Sequence, residues 1–253
     1  MSPSFARIAP QYDALRPLSS TDRARLERTL ADAALVAQDL VVEVGCGTGR
    51  LTLPLATLTP ARVVGVDAEA RMLEVARAKD ASARVEWVRG SAYRLPIPDR
   101  AAALVLMVMV VHLLRQRVRA FAEARRVLRA GGRLSVWTFT PRHVAEFYLN
   151  PYFPSIAVID RPRFPPAETL TAELRRAGFA SVETEVRDEV RRMPITEVVD
   201  RVRGRYISTL AMLRPLEYRL GLQRLEELLA QDRSATLTQR SEWAIMTART
   251  AAA

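Results

Sequence analysis

Short apolar segments alternate with amphipathic segments along the first 140 residues of the chain. The apolar segments resemble strands in length and flanking turns, and in the amphipathic ones apolar positions recur with the spacing of a helix. The predicted strands are 39–45, 62–67, 84–89, 102–110 and 133–139. The predicted helices are 21–37, 49–58, 68–79 and 115–129. Because right-handed crossovers join such units, the alternation predicts a parallel sheet with helices on both faces.

The pattern changes in the second half of the chain. Residues 141–166 are rich in proline and aromatic residues and predict irregular structure. A helix is predicted over 167–177, and alternating positions predict strands over 180–190 and 241–249. Between these two strands, residues 194–231 predict a helical insert. The second half is therefore expected to complete the sheet and to carry elements outside it.

Three glycines at alternate positions, Gly45, Gly47 and Gly49, separate the first predicted strand from the helix that follows it. Glycine allows a tight turn and lets a ligand approach the main chain beside the N–H groups at a helix start. Dinucleotide-binding enzymes carry G-x-G-x-x-G, and here Arg50 stands where the third glycine of that pattern would fall. The loop thus predicts a nucleotide-like ligand but departs from the dinucleotide pattern.

Two carboxylates sharpen this prediction. Glu43 lies within the first strand, and Asp67 ends the second strand at the distance expected for an acid that binds ribose hydroxyls. A ribose held by a carboxylate is common to NAD and S-adenosylmethionine. An acid at Glu43, near the amino-acid end of the ligand, suits an ammonium group better than a pyrophosphate. The alternative for Glu43 is a local structural contact, since a buried acid needs a partner.

Four segments resemble, in order and spacing, the class I S-adenosylmethionine-dependent methyltransferases, in particular the ubiquinone and menaquinone C-methyltransferase group (methyltransferase type 11). They are VVEVGCGTGR, VVGVDAEARMLEVARAK, VRGSAYRLPIPD and ARRVLRAGGRLSVWTF, and residues 5–13 resemble the leader of that group. The resemblance covers about residues 5–140. It implies a doubly wound, Rossmann-like α/β fold with a seven-stranded sheet, mostly parallel with an antiparallel last strand. Segments 180–190 and 241–249 would supply the last two strands, with the helical insert between strands 6 and 7.

The resemblance also implies a set of contacts to S-adenosylmethionine and its product S-adenosylhomocysteine. On the methionine side the expected contacts are Gly45, Cys46, Gly47 and Gly49, with Glu43 beneath them. Asp67 is expected to bind the ribose, Ala68 and Met72 to pack on the adenine, and Ser91 and Ala92 to lie at the adenine edge. Met107 is expected near the ribose and sulfonium, and Tyr12 and Arg16 of the leader over the methionine carboxylate. Residues 1–38 would then form a lid and a helix, 39–140 the cofactor-binding core, and 141–253 the rest of the sheet with substrate-side segments 141–166 and 194–231.

Two positions depart from the family. Ser91 stands where an aspartate usually accepts a hydrogen bond from the adenine amino group, and a neutral hydroxyl accepts it more weakly. Ala103 replaces an aspartate before the apolar run of the fourth strand. We expect slightly weaker cofactor binding, not its loss.

Methyl transfer from a sulfonium mainly requires that the acceptor be aligned with the methyl group. A general base is needed only if the acceptor atom carries a proton. His112 follows the fourth strand at the carboxyl edge of the sheet, where ligands bind in open α/β folds, and is the candidate base. A structural role in capping the next helix is its alternative, and His143, after the fifth strand, is expected at the surface.

The acceptor is expected to lie between the leader and segments 141–166 and 194–231. Aromatic residues that would line an apolar pocket there are Phe147, Tyr148, Tyr152, Phe153, Phe164 and Tyr206. A small-molecule acceptor, aromatic or anionic, with an oxygen, nitrogen or carbon nucleophile fits such a pocket.

Composition narrows the partners and the compartment. The net charge is +10, but the arginines are scattered through every helical segment, which argues against a nucleic-acid-binding patch. Cys46 is the only cysteine, which fits a reducing compartment, and with His112 and His143 it cannot form a zinc cluster. The apolar run 101–114 is too short to span a bilayer, and the N-terminal residues lack the apolar segment of a signal peptide.

The sequence therefore predicts a cytoplasmic methyltransferase, monomeric or homodimeric, that acts on a small molecule. An RNA-modifying methyltransferase is one alternative; the charge favours it, but residues 109–112 lack the target-amine motif expected after the fourth strand. An NAD(P)-dependent oxidoreductase is a second, which Arg50 argues against. The third is a non-catalytic relative that binds adenosyl ligands, which the departures at Ser91 and Ala103 keep open.

Overall fold

A sheet of seven strands forms the centre of the computed structural model, which describes residues 5–252. The strands are β1 (Leu40–Val44), β2 (Arg62–Asp67), β3 (Val85–Arg89), β4 (Ala102–Val108), β5 (Leu128–Phe139), β6 (Ser181–Pro194) and β7 (Thr236–Arg249). They lie in the order β3-β2-β1-β4-β5-β7-β6. Neighbours pair in parallel except that β7 is antiparallel to both β5 and β6. The predicted Rossmann-like sheet with an antiparallel last strand is confirmed.

Ten α-helices connect and flank the strands within the described residues. They are α1 (Tyr12–Leu15), α2 (Ser20–Ala33), α3 (Thr52–Leu58), α4 (Ala70–Lys79), α5 (Arg117–Val127), α6 (Pro141–Ala145), α7 (Ser155–Asp160), α8 (Ala167–Arg176), α9 (Ile195–Arg203) and α10 (Pro215–Gln231), and short 3-10 turns cover Ala9–Gln11, Val111–Leu113 and Ser208–Ala211. Residues 1–4 of the predicted lid and Ala253 of the last predicted segment lie outside the described residues. No helix between residues 5 and 252 has the length and apolar character needed to span a membrane.

Strand β4 shows why the sheet is covered on both faces. All its residues are buried, as its unbroken apolar sequence predicts. Its side chains alternate between two apolar layers: Val105 and Met107 lie in one, and Leu104 and Leu106 lie in the other. Helices α5 and α8 contribute to the first layer, and helices α2 and α3 contribute to the second. The core is therefore built on both sides of the central strands.

A third apolar cluster lies outside the sheet, in the insert between β6 and β7 and in the segment after β5. Helices α9 and α10 pack together there. Leu15 belongs to the leader, by which we mean residues 5–16, and joins the same cluster. A Cβ atom added to Gly204, after α9, would lie 2.5 Å from a Leu15 methyl carbon. The leader thus packs closely against the insert, and the two enclose one side of the molecule.

Several predicted boundaries were wrong. Segment 141–166 is not irregular, because it contains α6 and α7. Helix α6 begins at Pro141, which fits a first helical turn, and the Thr140 hydroxyl caps this helix. Strand β5 begins at Leu128 rather than at 133, with Gly131 in the left-handed region (φ +68°) and a register shift opposite β4. Strands β6 and β7 are also longer than predicted, and their pairing extends to Pro194 opposite Thr236.

Candidate functional site

A cavity of about 550 Å³ lies at the carboxyl ends of β1, β2, β4 and β5. Ligands bind at this edge in open α/β folds. One side of the cavity is formed by the glycine loop and the ends of β2 and β3. The other side is formed by the leader, α6, α7 and the Ser208–Ala211 turn. A single cavity therefore joins the predicted cofactor residues with the predicted substrate side.

The glycine loop turns through left-handed backbone conformations that favour glycine. The φ angles are +74° at Gly45, +56° at Gly47 and +74° at Gly49. A Cβ atom at Gly47, which lines the cavity, would have no heavy atom within 4 Å, so this residue faces open space. A Cβ atom at Gly49 would lie 2.4 Å from the Trp87 ring. Gly49, predicted to contact the cofactor, instead packs behind the loop and is not part of the cavity wall.

Asp67 is bound to the glycine loop through its side chain. Its two carboxylate oxygens accept hydrogen bonds from the main-chain N–H of Gly47 and of Glu69, each at 2.8 Å. Burial raises the pKa of Asp67, although these N–H donors act against that shift. Since the side chain also lines the cavity, its carboxylate is placed where a ligand hydroxyl can reach it.

Glu43 is almost fully buried beneath the loop and also lines the cavity. Its Oε2 accepts a hydrogen bond from the Thr52 hydroxyl at 2.6 Å. Burial raises the pKa of Glu43 to about 7, although this hydrogen bond and the charge of Arg50 act against the shift. Arg50 also lines the cavity and forms an ion pair with Asp22 at 2.9 Å. In the sequence Arg50 stands out only as a missing glycine, and its proximity to Glu43 was not predicted.

Five other residues that were predicted to contact the cofactor also line the cavity. They are Cys46, Ala68, Met72, Ser91 and Ala92. Burial raises the pKa of the Cys46 thiol, which therefore stays protonated and unreactive. The Ser91 hydroxyl is exposed and accepts a hydrogen bond from the Tyr93 N–H at 3.2 Å. These residues surround the space between the ends of β2 and β3.

Met107 is a correction to the predicted set. Its side chain is fully buried in an apolar layer of the core and does not line the cavity. The chain leaves β4 after Val108, and Met109, with φ +54°, lines the cavity instead. A methionine in the left-handed region carries no sequence signal that would have shown this. Ala103 likewise lies buried within β4, away from the cavity.

The leader places Tyr12 and Arg16 in the cavity wall. The Arg16 guanidinium donates a hydrogen bond to the Tyr12 hydroxyl at 3.2 Å and lies 5.6 Å from the centres of the Tyr12 and Tyr206 rings. Among residues 5–252, no carboxylate lies within ion-pair distance of Arg16, and its buried Nε has no hydrogen-bond partner. Arg16 is thus a cation at the cavity without a counter-charge from the described chain.

Asp13 connects the leader to the cofactor side. Its carboxylate accepts a hydrogen bond from the hydroxyl of Thr48, which lies within the glycine loop. It also forms an ion pair with Lys79 at the end of α4. Neither Asp13 nor Thr48 was predicted to contribute to the site.

Both histidines line the cavity. His112 lies in the turn after β4, as predicted, and its ring stacks on Phe164 at a centroid distance of 4.7 Å. His143 was expected at the surface, and this was wrong. It is buried, its ring stacks on Phe139 at 3.7 Å, and its Nδ1 is 3.3 Å from the Arg240 carbonyl oxygen. Burial lowers the pKa of His143 to about 4 and that of His112 well below 6.5, so both rings are neutral at pH 7.

A polar cluster on the substrate side was missed entirely. Asp160, at the end of α7, lines the cavity and accepts hydrogen bonds from Arg163 at 2.6 Å and from the Thr209 hydroxyl at 2.8 Å. Burial raises the pKa of Asp160, although Arg163 and Thr209 act against that shift. Its sequence context, Ile-Asp-Arg-Pro-Arg, reads as a surface loop, so spacing alone carried no signal. Within the described residues, no three His, Cys, Asp or Glu side chains are grouped as metal ligands.

Comparison with known proteins places this site in a family. Residues 41–132 match the family described as a methyltransferase domain. A ubiquinone/menaquinone biosynthesis C-methyltransferase of Paracoccus denitrificans is 30% identical over 205 residues, which cover 71% of this chain and 82% of that protein. A demethylmenaquinone methyltransferase of Thermus thermophilus is 38% identical over 151 residues, covering 57% of this chain and 68% of that protein. The chain therefore belongs to the class I S-adenosylmethionine-dependent methyltransferases, as its motifs predicted.

The likeness is uneven along the chain. The match to a second ubiquinone/menaquinone C-methyltransferase, from Syntrophotalea carbinolica, spans only 60% of that relative's length. The match to a Lactiplantibacillus plantarum demethylmenaquinone methyltransferase spans 58% of it. Among solved structures, a methyltransferase-like protein of Bacillus halodurans shares the fold at 22% identity, with a TM-score of 0.63 over 92% of this chain and all of that one. A Haemonchus contortus phosphoethanolamine N-methyltransferase, solved with S-adenosylmethionine, has a TM-score of 0.64 at 16% identity, covering 97% of this chain and 57% of that one.

Proposed function

We propose that this chain transfers the methyl group of S-adenosylmethionine to a small-molecule acceptor by in-line displacement. The observation that carries the proposal is one cavity lined both by the glycine loop, Asp67 and Glu43 and by the rings of Phe139, Phe147 and Phe164. We call the part beside the glycine loop the first chamber and the part beside these three rings the second chamber. A binding module for an adenosyl ligand alone would not need the second chamber. Two ligands held end to end in one cavity are what a group transfer requires.

The first chamber fits the methyl donor on three observations. The open space at Gly47 leaves room for a ligand against the loop. The Asp67 carboxylate beside it is suited to accept hydrogen bonds from ribose hydroxyls. Glu43 is buried below, where the charge of the ammonium group of the methionine portion would offset the cost of ionising its carboxyl. Met72, Ala68 and Ala92 would pack against the adenine.

The protein's contribution to the chemistry is alignment and exclusion of water. When bound, S-adenosylmethionine supplies a methyl group on a sulfonium, which is already a good leaving group. The leader covers the cavity with Tyr12 and Arg16, and the neutral rings of His112 and His143 lie in its wall. A cavity lined in this way would orient the acceptor and limit its contact with water.

The second chamber supports a planar acceptor, since its walls include the rings of Phe139, Phe147 and Phe164. Several relatives are named for methylating quinones or naphthoquinones, which are planar. The predicted cytoplasmic location and the monomeric or homodimeric state stay predictions.

Calorimetry with S-adenosylhomocysteine, S-adenosylmethionine and NAD tests the cofactor. We expect both adenosyl ligands to bind and NAD not to bind. Tight binding of NAD instead would overturn the proposal in favour of an oxidoreductase. Acceptors can then be found by incubating the protein and methyl-deuterated S-adenosylmethionine with a bacterial metabolite extract, and by searching for labelled products by mass spectrometry. Cofactor binding with no labelled product would favour the non-catalytic alternative.

A further inference from the structure

The orientation of His112 is set in an unusual way. A functional histidine is commonly oriented by a hydrogen bond to its second ring nitrogen. Here Nδ1 of His112 is buried and has no hydrogen-bond partner among residues 5–252. The ring is instead held by a nearly parallel stack on Phe164, with 13° between the planes. The main-chain carbonyl of His112 accepts a long hydrogen bond, 3.4 Å, from Nε of Arg163.

Arg163 joins this histidine to two other parts of the cavity wall. Its guanidinium donates to Asp160 of α7 at 2.6 Å, to the Thr209 hydroxyl at 3.0 Å and to the Ser208 hydroxyl at 2.8 Å. Its side chain is only 14% exposed, so these bonds are largely shielded from water. One side chain therefore fixes the end of α7, the 3-10 turn of the insert and the turn after β4 relative to one another.

The charges around His112 restrict which acceptors can lie against it. Burial, and then the charges of Arg163 and Arg16, keep its pKa well below the usual value. The one carboxylate in this wall, Asp160, is already paired with Arg163. An ammonium group would therefore meet two guanidinium groups and no free carboxylate of this cluster. A neutral hydroxyl meets no such penalty and can donate a hydrogen bond to the neutral imidazole.

We propose that Arg163 and Phe164 are positioning residues for His112, and that His112 contacts the nucleophilic atom of a neutral acceptor bearing a hydroxyl group. The proposal rests on the proposed methyl transfer. In that reaction the acceptor oxygen forms the new bond to the methyl carbon. The carbon–sulfur bond breaks with both electrons left on sulfur, and the hydroxyl proton, held in a hydrogen bond to a ring nitrogen of His112, is released to water. The products are a methyl ether, S-adenosylhomocysteine and a proton in solvent.

The chain contains only two histidines, which makes the positioning role directly measurable. Protein labelled with ¹⁵N in its histidine rings gives two sets of nitrogen resonances, and a His143→Asn variant assigns them. We expect wild-type His112 to stay neutral at pH 6.5 and above, and its ring to be rigid in ¹⁵N relaxation measurements. In Arg163→Met the loss of the neighbouring positive charge should raise the pKa of His112, and the ring should become mobile. Phe164→Leu should make the ring mobile without the electrostatic shift, and Arg163→Lys should retain the charge but lose the fixed orientation.

Arg161→Met is the matched control, because Arg161 lies in the same turn but its side chain is exposed and outside the cavity wall. It should leave both sets of resonances unchanged. If folded Arg163→Met and Phe164→Leu variants both keep the wild-type His112 resonances, the positioning role is overturned. S-adenosylhomocysteine affinity, measured on the same samples, should change less than threefold, since neither residue lines the cofactor side. Wild-type protein that fails to bind this ligand would refute the methyl transfer while the resonances still decide the positioning role.

The acceptor class is tested with 4-methylphenol, which is neutral near pH 7, and its methyl ether, 4-methylanisole, added to protein saturated with S-adenosylhomocysteine. The phenol should shift the His112 nitrogen resonances through a hydrogen bond, and the ether, which lacks the proton, should not. In His112→Asn the ring resonances of His143 should respond equally to both probes. Equal effects of the two probes on His112, or no effect of either up to their solubility limits, would overturn the hydroxyl acceptor.

Discussion

The Asp67 carboxylate accepts a hydrogen bond from the main-chain N–H of Gly47 at 2.8 Å. The acid at the end of one strand thereby holds the loop that follows the neighbouring strand. Asp67 thus has two tasks in the proposed function, since the same carboxylate that fixes the loop is expected to bind the ribose. A variant at this position tests both.

Asp67→Ala should weaken binding of S-adenosylhomocysteine by about 2 kcal/mol, or roughly 30-fold, the scale of lost charge-assisted hydrogen bonds. Calorimetry measures this, with circular dichroism to show that the variant is folded. Asp200→Ala, at an exposed acid of α9, should bind like wild type. Wild-type affinity in folded Asp67→Ala would mean that the ribose lies elsewhere.

Gly47→Val should nearly abolish binding of S-adenosylhomocysteine. The new side chain would occupy the open space at Gly47, and its left-handed backbone would add strain of about 1–2 kcal/mol. Gly131→Val is a matched control, because Gly131 also has a positive φ (+68°) and open space around it but does not line the cavity. We expect both variants to lose similar stability in urea denaturation and only the first to lose binding. Parallel losses of binding in the two would show that strain, not exclusion, is the cause.

Glu43 should make stability depend on pH. Its pKa is about 7 in the folded chain against an ordinary value of 4.5, so the folded state holds a proton that the unfolded state releases between these values. The free energy of unfolding should therefore fall as pH rises from about 4.5 to 7, by about 3 kcal/mol at most, and then level off. Urea denaturation of wild type and Glu43→Gln at pH 5 and pH 8 measures it. The difference in stability between the two proteins should change with pH; a constant difference would contradict the raised pKa.

Ser91→Asp should tighten binding of S-adenosylhomocysteine modestly, by roughly 0.5–1 kcal/mol, because a carboxylate accepts a hydrogen bond from the adenine amino group better than a hydroxyl does. Ser91 is exposed and lines the cavity, so the new carboxylate needs little desolvation. S-inosylhomocysteine, which lacks the amino group, is the control ligand and should not gain affinity. Equal gains for both ligands would indicate a general charge effect.

Much of the cavity wall beside the glycine loop was predictable from the sequence because it depends on local constraints. Glycines at alternate positions, an acid at a strand end and the unbroken apolar run of β4 each have one structural meaning in this context. The error at Met107 arose at the end of β4. Met109, which follows the strand with a left-handed backbone, lines the cavity in place of Met107. Periodicity does not report such a backbone change.

The substrate side was harder to predict because it is built from long-range contacts. Arg163 bonds to Ser208 and Thr209, more than 40 residues away along the chain, and no spacing rule links them. The burial of His143 likewise depends on β7, which supplies the carbonyl of Arg240 next to its ring. The aromatic composition of segment 141–166 predicted an apolar pocket, but not the polar cluster that orders it.

The last prediction concerns the leader. Its proline content and small apolar face predicted a segment with little to hold it, which would close as a lid when the cofactor binds. The structure adds contacts that this view did not include: Asp13 bonds to Lys79 and Thr48, and Leu15 packs on Gly204. We therefore expect Asp13→Asn to loosen the leader in the free protein. The substitution removes the ion pair with Lys79 of α4, and it also removes the negative charge that strengthens the hydrogen bond from the Thr48 hydroxyl of the glycine loop.

Amide hydrogen exchange over residues 5–16, with and without S-adenosylhomocysteine, measures this. Wild type should gain protection on binding, since the ligand would complete the contacts of Tyr12 and Arg16, and Asp13→Asn should start less protected and gain more. Asp32→Asn, in α2 away from the cavity, should behave like wild type. Because Thr48 belongs to the glycine loop, a looser leader should also raise the dissociation rate of the ligand by roughly tenfold, at an energetic scale of 1.4 kcal/mol. Equal protection with and without ligand in both proteins would mean that the leader is a fixed wall of the cavity and does not act as a lid.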